Sequence, residues 1–242
     1  MPVLRLDKIL SDLGIASRRE AKAMIREGRV TVGGITATLG SMKLDTQQND
    51  ILVDGKRILY QKNIYLMLNK PSGYISAAAD AKDPTVMDLL GPEMSRFSLF
   101  PVGRLDKNTE GLLILTNDGD YSHKITSPKY GIVKTYYVEA DGKIKDGTAA
   151  LFREGLALKD GTQFLPAELE VLSSGAVTTL LLKITEGQYH QVKRMMAAVG
   201  CPVRYLKRLS IGGLHLDDSL LPGKYRRMAE NEYLSVFDNV AL

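Results

Sequence analysis

The sequence predicts an α+β protein in two parts: a small helix-then-strand unit over residues 1–60, and a larger, mainly antiparallel α+β domain over residues 61–242. Three observations predict it. Apolar residues fall at helical spacing twice within the first 27 residues, short strand-like runs follow, and from Ile64 the texture changes to apolar runs separated by glycine turns. The short polar stretch Tyr60 to Asn63 is the expected connection. No internal repeat or low-complexity segment interrupts the pattern.

Leu6, Ile9, Leu10 and Leu13 stand at i, i+3, i+4 and i+7 with Gly14 after them, which marks a first short helix. Ser17-Arg18-Arg19-Glu20 has the S-x-x-E form of a capping box, so a second helix runs from about Arg18 to Glu27 and stops at Gly28. At about 100° per residue, Arg18, Arg19, Lys22 and Arg26 share one quadrant, while Ala21, Met24 and Ile25 gather opposite. One face packs and the other presents positive charge, which suits RNA phosphates and supplies position rather than base choice. Glu20 and Glu27 lie nearby, so a merely solvated face is the alternative. Strands at Arg29 to Val32 and around the Val53-Asp54-Gly55-Lys56 hairpin complete the unit, and no aromatic residue precedes Tyr60 to make a stacking platform.

In the larger domain, strands are expected at Ile64 to Leu68, Leu112 to Thr116, Lys134 to Val138, Leu169 to Leu172, Thr178 to Ile184 and Val203 to Leu209. Helices are expected at Thr85 to Leu90, Ile144 to Glu154 and Gln191 to Val199, with turns at Asn117-Asp118-Gly119, Asp141-Gly142, Asp160-Gly161 and Gly212-Gly213.

Composition narrows the class. With 44% hydrophobic and 25% charged residues the chain of 242 is globular, and its net charge of +4 is too small to identify a nucleic-acid binder by itself. No apolar run approaches the roughly 20 residues of a membrane span, and MPVLRLDKIL lacks a signal-peptide core, so a cytoplasmic protein without membrane contact is expected. A single cysteine, Cys201, excludes an internal disulfide and reads as a core residue. His123, His190 and His215 show no paired spacing, so no metal site is expected.

The run GRLDKNTEGLLILTNDG, Gly103 to Gly119, places Asp106 just before a strand whose Leu112, Leu113, Ile114 and Leu115 read as buried on both faces. Charges such as Arg104, Asp106, Lys107 and Glu110 usually form a solvated loop. Their context changes that reading. GRLDKNTEGLLILTNDG, with LNKPSGYIS (Leu68 to Ser76), KTYYV (Lys134 to Val138) and EGQYHQVKRMMAAVG (Glu186 to Gly200), resembles in order the motifs of the pseudouridine synthases, specifically the RsuA-like group that modifies ribosomal RNA. The helix, basic helix, strand order before them resembles the ribosomal-protein-S-four-type RNA-binding domain.

The resemblance implies a mixed sheet with a central cleft and a cofactor-free isomerisation of uridine. Asp106 matches the catalytic aspartate, and Lys193 aligns with the basic residue that pairs with it, where arginine is more usual; Arg194 is the alternative partner. Tyr136 matches the K-x-Y tyrosine that packs against the flipped uracil, with Tyr137 on the opposite strand face. Arg104 matches the arginine that fills the space left by the flipped base, and Lys70-Pro71-Ser72-Gly73 is expected to support the catalytic loop and the RNA backbone. His190 reads as structural. The acid's route, through the sugar carbon, the uracil ring or elimination and recapture, stays open. LTNDGDYSHKITSPKYGIVKTYYV is similar to the small-subunit enzymes, which implies 16S rRNA as partner, within a small-subunit assembly intermediate, a uridine of the position-516 type as target, and action as a monomer. A 23S rRNA enzyme of the same group and a noncatalytic ribosome-assembly factor are the alternatives.

Overall fold

A computed structural model describes residues 3–45, 50–58, 60 and 63–238. The chain forms two compact units, residues 1–64 with 93–98, and residues 65–92 with 99–242. Gln61 and Lys62 of the expected connection, like Met1 and Pro2, lie outside the described residues.

The first unit runs β1 (Val3–Arg5), α1 (Leu6–Asp12), α2 (Arg18–Arg26), β2 (Val30–Val32), β3 (Ile35–Thr36), β4 (Lys43–Asp45), β5 (Ile51–Val53) and β6 (Lys56–Ile58). The capping box closes as expected: the Glu20 amide donates to Ser17 Oγ at 3.3 Å and the Ser17 amide to Glu20 Oε2 at 2.8 Å. Leu6, Ile9 and Leu10 of α1 meet Ala21, Met24 and Ile25 of α2 in a core completed by Val30, Ile51 and Val53. Strands pair in the order β3-β2-β5-β6, all antiparallel, and β1 pairs separately with β4. Asp54 and Gly55 both carry positive φ, +49° and +75°, the type I′ geometry that an Asp-Gly hairpin signal predicts.

The second unit runs β7 (Tyr65–Lys70), β8 (Phe100–Pro101), β9 (Glu110–Thr116), α3 (Gly119–Thr126), β10 (Lys134–Asp141), α4 (Thr148–Glu154), β11 (Glu168–Ser173), β12 (Val177–Ile184), α5 (Gln191–Ala198), β13 (Val203–Ile211), β14 (Leu214–His215), β15 (Tyr225–Arg227) and α6 (Glu230–Ser235). Its sheet has the order β11-β12-β10-β13-β9-β7-β15, with β8 on β9 and β14 on β13. Among the described strand pairs of this sheet, β9 with β13 is the parallel one, which makes the sheet mixed, and β9, the strand that follows Asp106, is interior to it. Leu112 to Leu115 are fully buried, as a continuous apolar strand should be. Gly111 lets β9 approach: its φ is +99°, and a Cβ there would collide with the Arg208 carbonyl of β13.

Three local expectations need correction. Asn117-Asp118-Gly119 is a helix start as well as a turn, because Asp118 Oδ1 accepts the Tyr121 amide at 3.0 Å and caps α3. α3 buries only Tyr121 and Ile125, too sparse an apolar stripe to announce a helix. Thr85 to Leu90 holds a single 3₁₀ turn, Val86–Leu89, which ends where Leu90 turns extended two residues before Pro92. α4 begins at Thr148 rather than Ile144, because Gly147 sits in left-handed backbone at φ +84° and breaks any helix through it.

Candidate active site

Asp106 lies on the loop between β8 and β9, and that loop is fastened from beneath by the LNKPSGYIS segment. Lys70, at the end of β7, is fully buried and donates from Nζ to the carbonyls of Thr109 at 2.8 Å, Pro71 at 3.0 Å and Lys107 at 3.1 Å. Burial pushes its ammonium down to about 8, against the pull of Glu110 and Asp106. Ser76 Oγ donates to the Leu105 carbonyl and accepts the Leu105 amide, both at 3.0 Å, and the Gly73 amide donates to the Lys107 carbonyl at 2.9 Å. Three residues of one segment thus pin both sides of Asp106. The assignment of Lys70 to RNA contact is corrected here: an ammonium with no exposed surface and three carbonyl partners holds the loop and is closed to phosphate.

From the other side comes α5. Lys193, at its third residue, places Nζ 2.8 Å from Asp106 Oδ2, with the two side chains 32% and 25% exposed. Arg194, the next residue, points elsewhere: its Nη2 reaches Asp160 Oδ2 at 2.8 Å and Thr162 Oγ1 at 2.6 Å, and its guanidinium lies over the Phe164 ring. Adjacent helical residues diverge by about 100°, so only one of the pair can face the acid. Lysine here is a point-charge partner without the paired hydrogen bonds of a guanidinium.

The approach to α5 is built for position. Glu186 Oε1 accepts from the Leu165 amide at 2.8 Å and Gln191 Nε2 at 2.9 Å, while Glu186 Oε2 accepts from Gln188 Nε2 at 3.0 Å. His190, the residue before the helix, has φ +51°, left-handed backbone that a non-glycine side chain adopts at a cost. That conformation brings His190 Nε2 to 3.7 Å from Asp106 Oδ1, with its ring stacked on the exposed Tyr189 at 3.8 Å. Reading His190 as structural missed this neighbour, and nothing in a lone histidine's sequence context signals it.

Tyr136, buried on β10, lines the cleft with Arg104, Asp106 and His190. Tyr137 faces the other way, its hydroxyl on Glu139 Oε1 at 3.2 Å. Arg104 is exposed on the rim. Glu110 is taken by the Tyr205 hydroxyl at 2.9 Å. At Asp106 the cleft holds about 50 Å³, and beside it a larger groove of about 330 Å³ runs past Arg104, Ser76 and Tyr189. The site therefore offers one carboxylate, an ammonium against it, a buried aromatic ring in its lining and an exposed cation at the mouth. Such a set suits acid–base or nucleophilic work on a flat, neutral ring.

In the first unit, Arg18, Arg19, Lys22 and Arg26 are all exposed on α2, and among the described residues none of the four has an ion-pair partner. The two nearby acids are occupied: Glu20 caps Ser17, and Glu27 faces Arg29 at 3.6 Å. The Tyr60 ring is tied through its hydroxyl to Asp12 Oδ2 at 3.0 Å.

Comparison with known proteins agrees with both units. The RNA pseudouridylate synthase family model matches residues 64–198, and the S4 domain model matches residues 4–52. The chain is 43% identical over 237 residues, 96% of its own length and 100% of the relative's, to ribosomal small subunit pseudouridine synthase A of Escherichia coli (strain K12). It is 44% identical over 230 residues, 95% of its length and 96% of the relative's, to an RNA pseudouridine synthase of Bacillus subtilis (strain 168). A crystal structure of a pseudouridylate synthase superposes with a TM-score of 0.67 at 35% identity, covering 96% of this chain and 99% of that one.

Proposed function

The chain belongs to the RNA pseudouridylate synthase family, with an S4 domain ahead of the catalytic one, and from that premise we propose that it converts one uridine of small-subunit rRNA, of the position-516 type, to pseudouridine through Asp106. The observation that carries the mechanism is the Asp106–Lys193 contact at 2.8 Å, on an acid that lines one cleft with the buried Tyr136.

In the reaction the glycosidic bond from ribose C1′ to uracil N1 breaks, the base turns, and C1′ joins C5; the C5 proton leaves to solvent with the help of the Tyr136 hydroxyl, and N1 takes one up from solvent. Atoms and electrons balance within the nucleoside, so one carboxylate suffices. Asp106 acts on the nucleoside, Lys193 supplies the opposite charge that a closed, water-poor cleft withholds, and Tyr136 stacks under the base and receives it after rotation. A base in folded RNA must first leave its stack, at a cost of a few kcal/mol. The cleft at Asp106, about 50 Å³, is narrow for a whole base, so uracil enters as the exposed Arg104 of its lining swings toward the place the base has left. Residues 1–60 grip the RNA through the α2 face, and residues 61–242 carry the chemistry. The protein acts as a monomer on a small-subunit assembly intermediate in the cytoplasm, where RNA shape and bound ribosomal protein complete the choice of site.

A chemical pseudouridine map of both rRNAs in a deletion strain tests this reading. One pseudouridine should vanish from 16S rRNA and return with wild type; loss from 23S rRNA instead, or unchanged maps, would contradict the substrate.

A further inference from the structure

Behind Tyr136 lies a second cavity, of about 210 Å³, which shares Arg104, Tyr136 and Gly187 with the Asp106 cleft. Two strands line it with charge. Lys134, two residues before Tyr136 and so on the same face of β10, is 7% exposed; Arg208, opposite Tyr136 on β13, is 4% exposed. Lys134 donates from Nζ to the Thr185 carbonyl at 3.2 Å, and Arg208 from Nε to the Leu112 carbonyl at 2.8 Å. Neither has a carboxylate within ion-pair distance among the described residues, and Arg208 Nη2 is buried with no hydrogen-bond partner. Glu186, the carboxylate in the lining, has both oxygens engaged by the Leu165 amide, Gln188 and Gln191.

Two buried like charges with spare donors cost the free protein stability, and such an arrangement points to a missing anion. Uracil offers these cations only neutral carbonyl oxygens, which cannot balance two buried charges as a phosphodiester does. A strand of RNA offers a phosphodiester on either side of the nucleoside, within reach of a cavity that opens onto the same cleft. We propose that Lys134 and Arg208 form a phosphate subsite, which binds a phosphodiester flanking the uridine held at Asp106. The proposal rests on RNA being the substrate. Guanidinium and ammonium donors are the usual phosphate partners, and a cavity of about 210 Å³ has room for a phosphate group.

The subsite also has a pH signature. Burial, and secondarily Arg208, lowers the Lys134 ammonium to about 8; Glu186 and Arg104 also line the cavity, and Tyr136 adjoins on the same strand. Above pH 8 the free protein loses that proton while the phosphate complex needs it, so RNA affinity falls. Unfolded, the same lysine titrates near 10.5, so between these values the unfolded chain holds more protons and the stability linked to Lys134 rises with pH.

The test uses the full chain and a short RNA in which wild type forms pseudouridine, with single phosphates near the uridine replaced by neutral methylphosphonates. Wild type should lose about tenfold in affinity at one flanking phosphate. Lys134→Met should weaken binding of the unmodified RNA by a similar factor, lower the salt slope by about 0.7, and lose distinctly less than wild type at that one position, where Arg208 remains. Its unfolding temperature should match or exceed wild type, and Lys134→Arg should restore binding. Equal losses at every phosphate, an unchanged salt slope, or no sensitive phosphate in wild type would overturn the subsite. Stabilisation of wild type, but not Lys134→Met, by inorganic phosphate that fails to compete with RNA would assign the cavity to a free anion instead and likewise overturn it. Absence of pseudouridine with wild type in any RNA would be a failure of the functional reading, and is scored separately.

Discussion

The two units use positive charge in opposite ways. On α2, four cations stand exposed and without ion-pair partners among the described residues, whereas in the catalytic unit Lys70 and Lys134 are buried, Lys193 is paired to Asp106 and Arg194 to Asp160. Exposed cations lose little on folding and give affinity that salt can screen. Buried or paired ones cost more, and each fixes something: a loop at Lys70, an acid at Lys193, or the anion inferred at Lys134 and Arg208. Cations of the first kind are interchangeable; those of the second are not.

That contrast can be sharpened by substitution, beginning with the largest effect. Lys193→Ala should lower turnover by about 10²–10³-fold with little change in RNA affinity, because it removes one preorganised charge from the reacting centre. Arg194→Ala, whose side chain faces Asp160 and Thr162, should change turnover far less. Equal losses in single-turnover rates would contradict the assignment of Lys193. Lys70→Met leaves the carbonyls of Pro71, Lys107 and Thr109 without their donor, so the loop drifts. Turnover should fall by about 10²-fold, while RNA binding stays near wild type. An RNA-binding defect without a rate defect would return Lys70 to the phosphate role. Neutralising Arg18, Arg19, Lys22 and Arg26 together should do the reverse: weaker RNA binding, a salt slope flatter by about 3, and an unchanged rate at saturating RNA. Full affinity at every salt concentration would make that face merely solvated.

Why some of this was legible is a matter of range. The capping box at Ser17, the buried strand Leu112 to Leu115 and the Asp-Gly hairpin at Asp54 depend on neighbours in sequence, and all appear where the residues place them. The ordered motifs singled out Asp106, Tyr136 and Lys193, and the fold brings all three to one cleft. The motif put Lys193 ahead of Arg194, and the pitch of α5 against the Asp106 loop turns Arg194 away toward Asp160. Lys70 misled because a lysine in a motif looks like a phosphate ligand until a distant loop buries it. Sequence sets His190 aside as structural because its place beside Asp106 comes from a left-handed backbone angle, and misses α3 because two apolar residues make a weak stripe.

The central claim is that one carboxylate, held against Lys193, isomerises uridine. Asp106→Asn nearly conserves the shape of that side chain and removes its charge, so folding and RNA affinity should persist. The direct measurement is pseudouridine formation by the purified variant on 16S rRNA that wild type modifies, alongside its unfolding temperature and RNA affinity. The account predicts no detectable product from a protein that is folded and still binds RNA; product at the wild-type rate would contradict it.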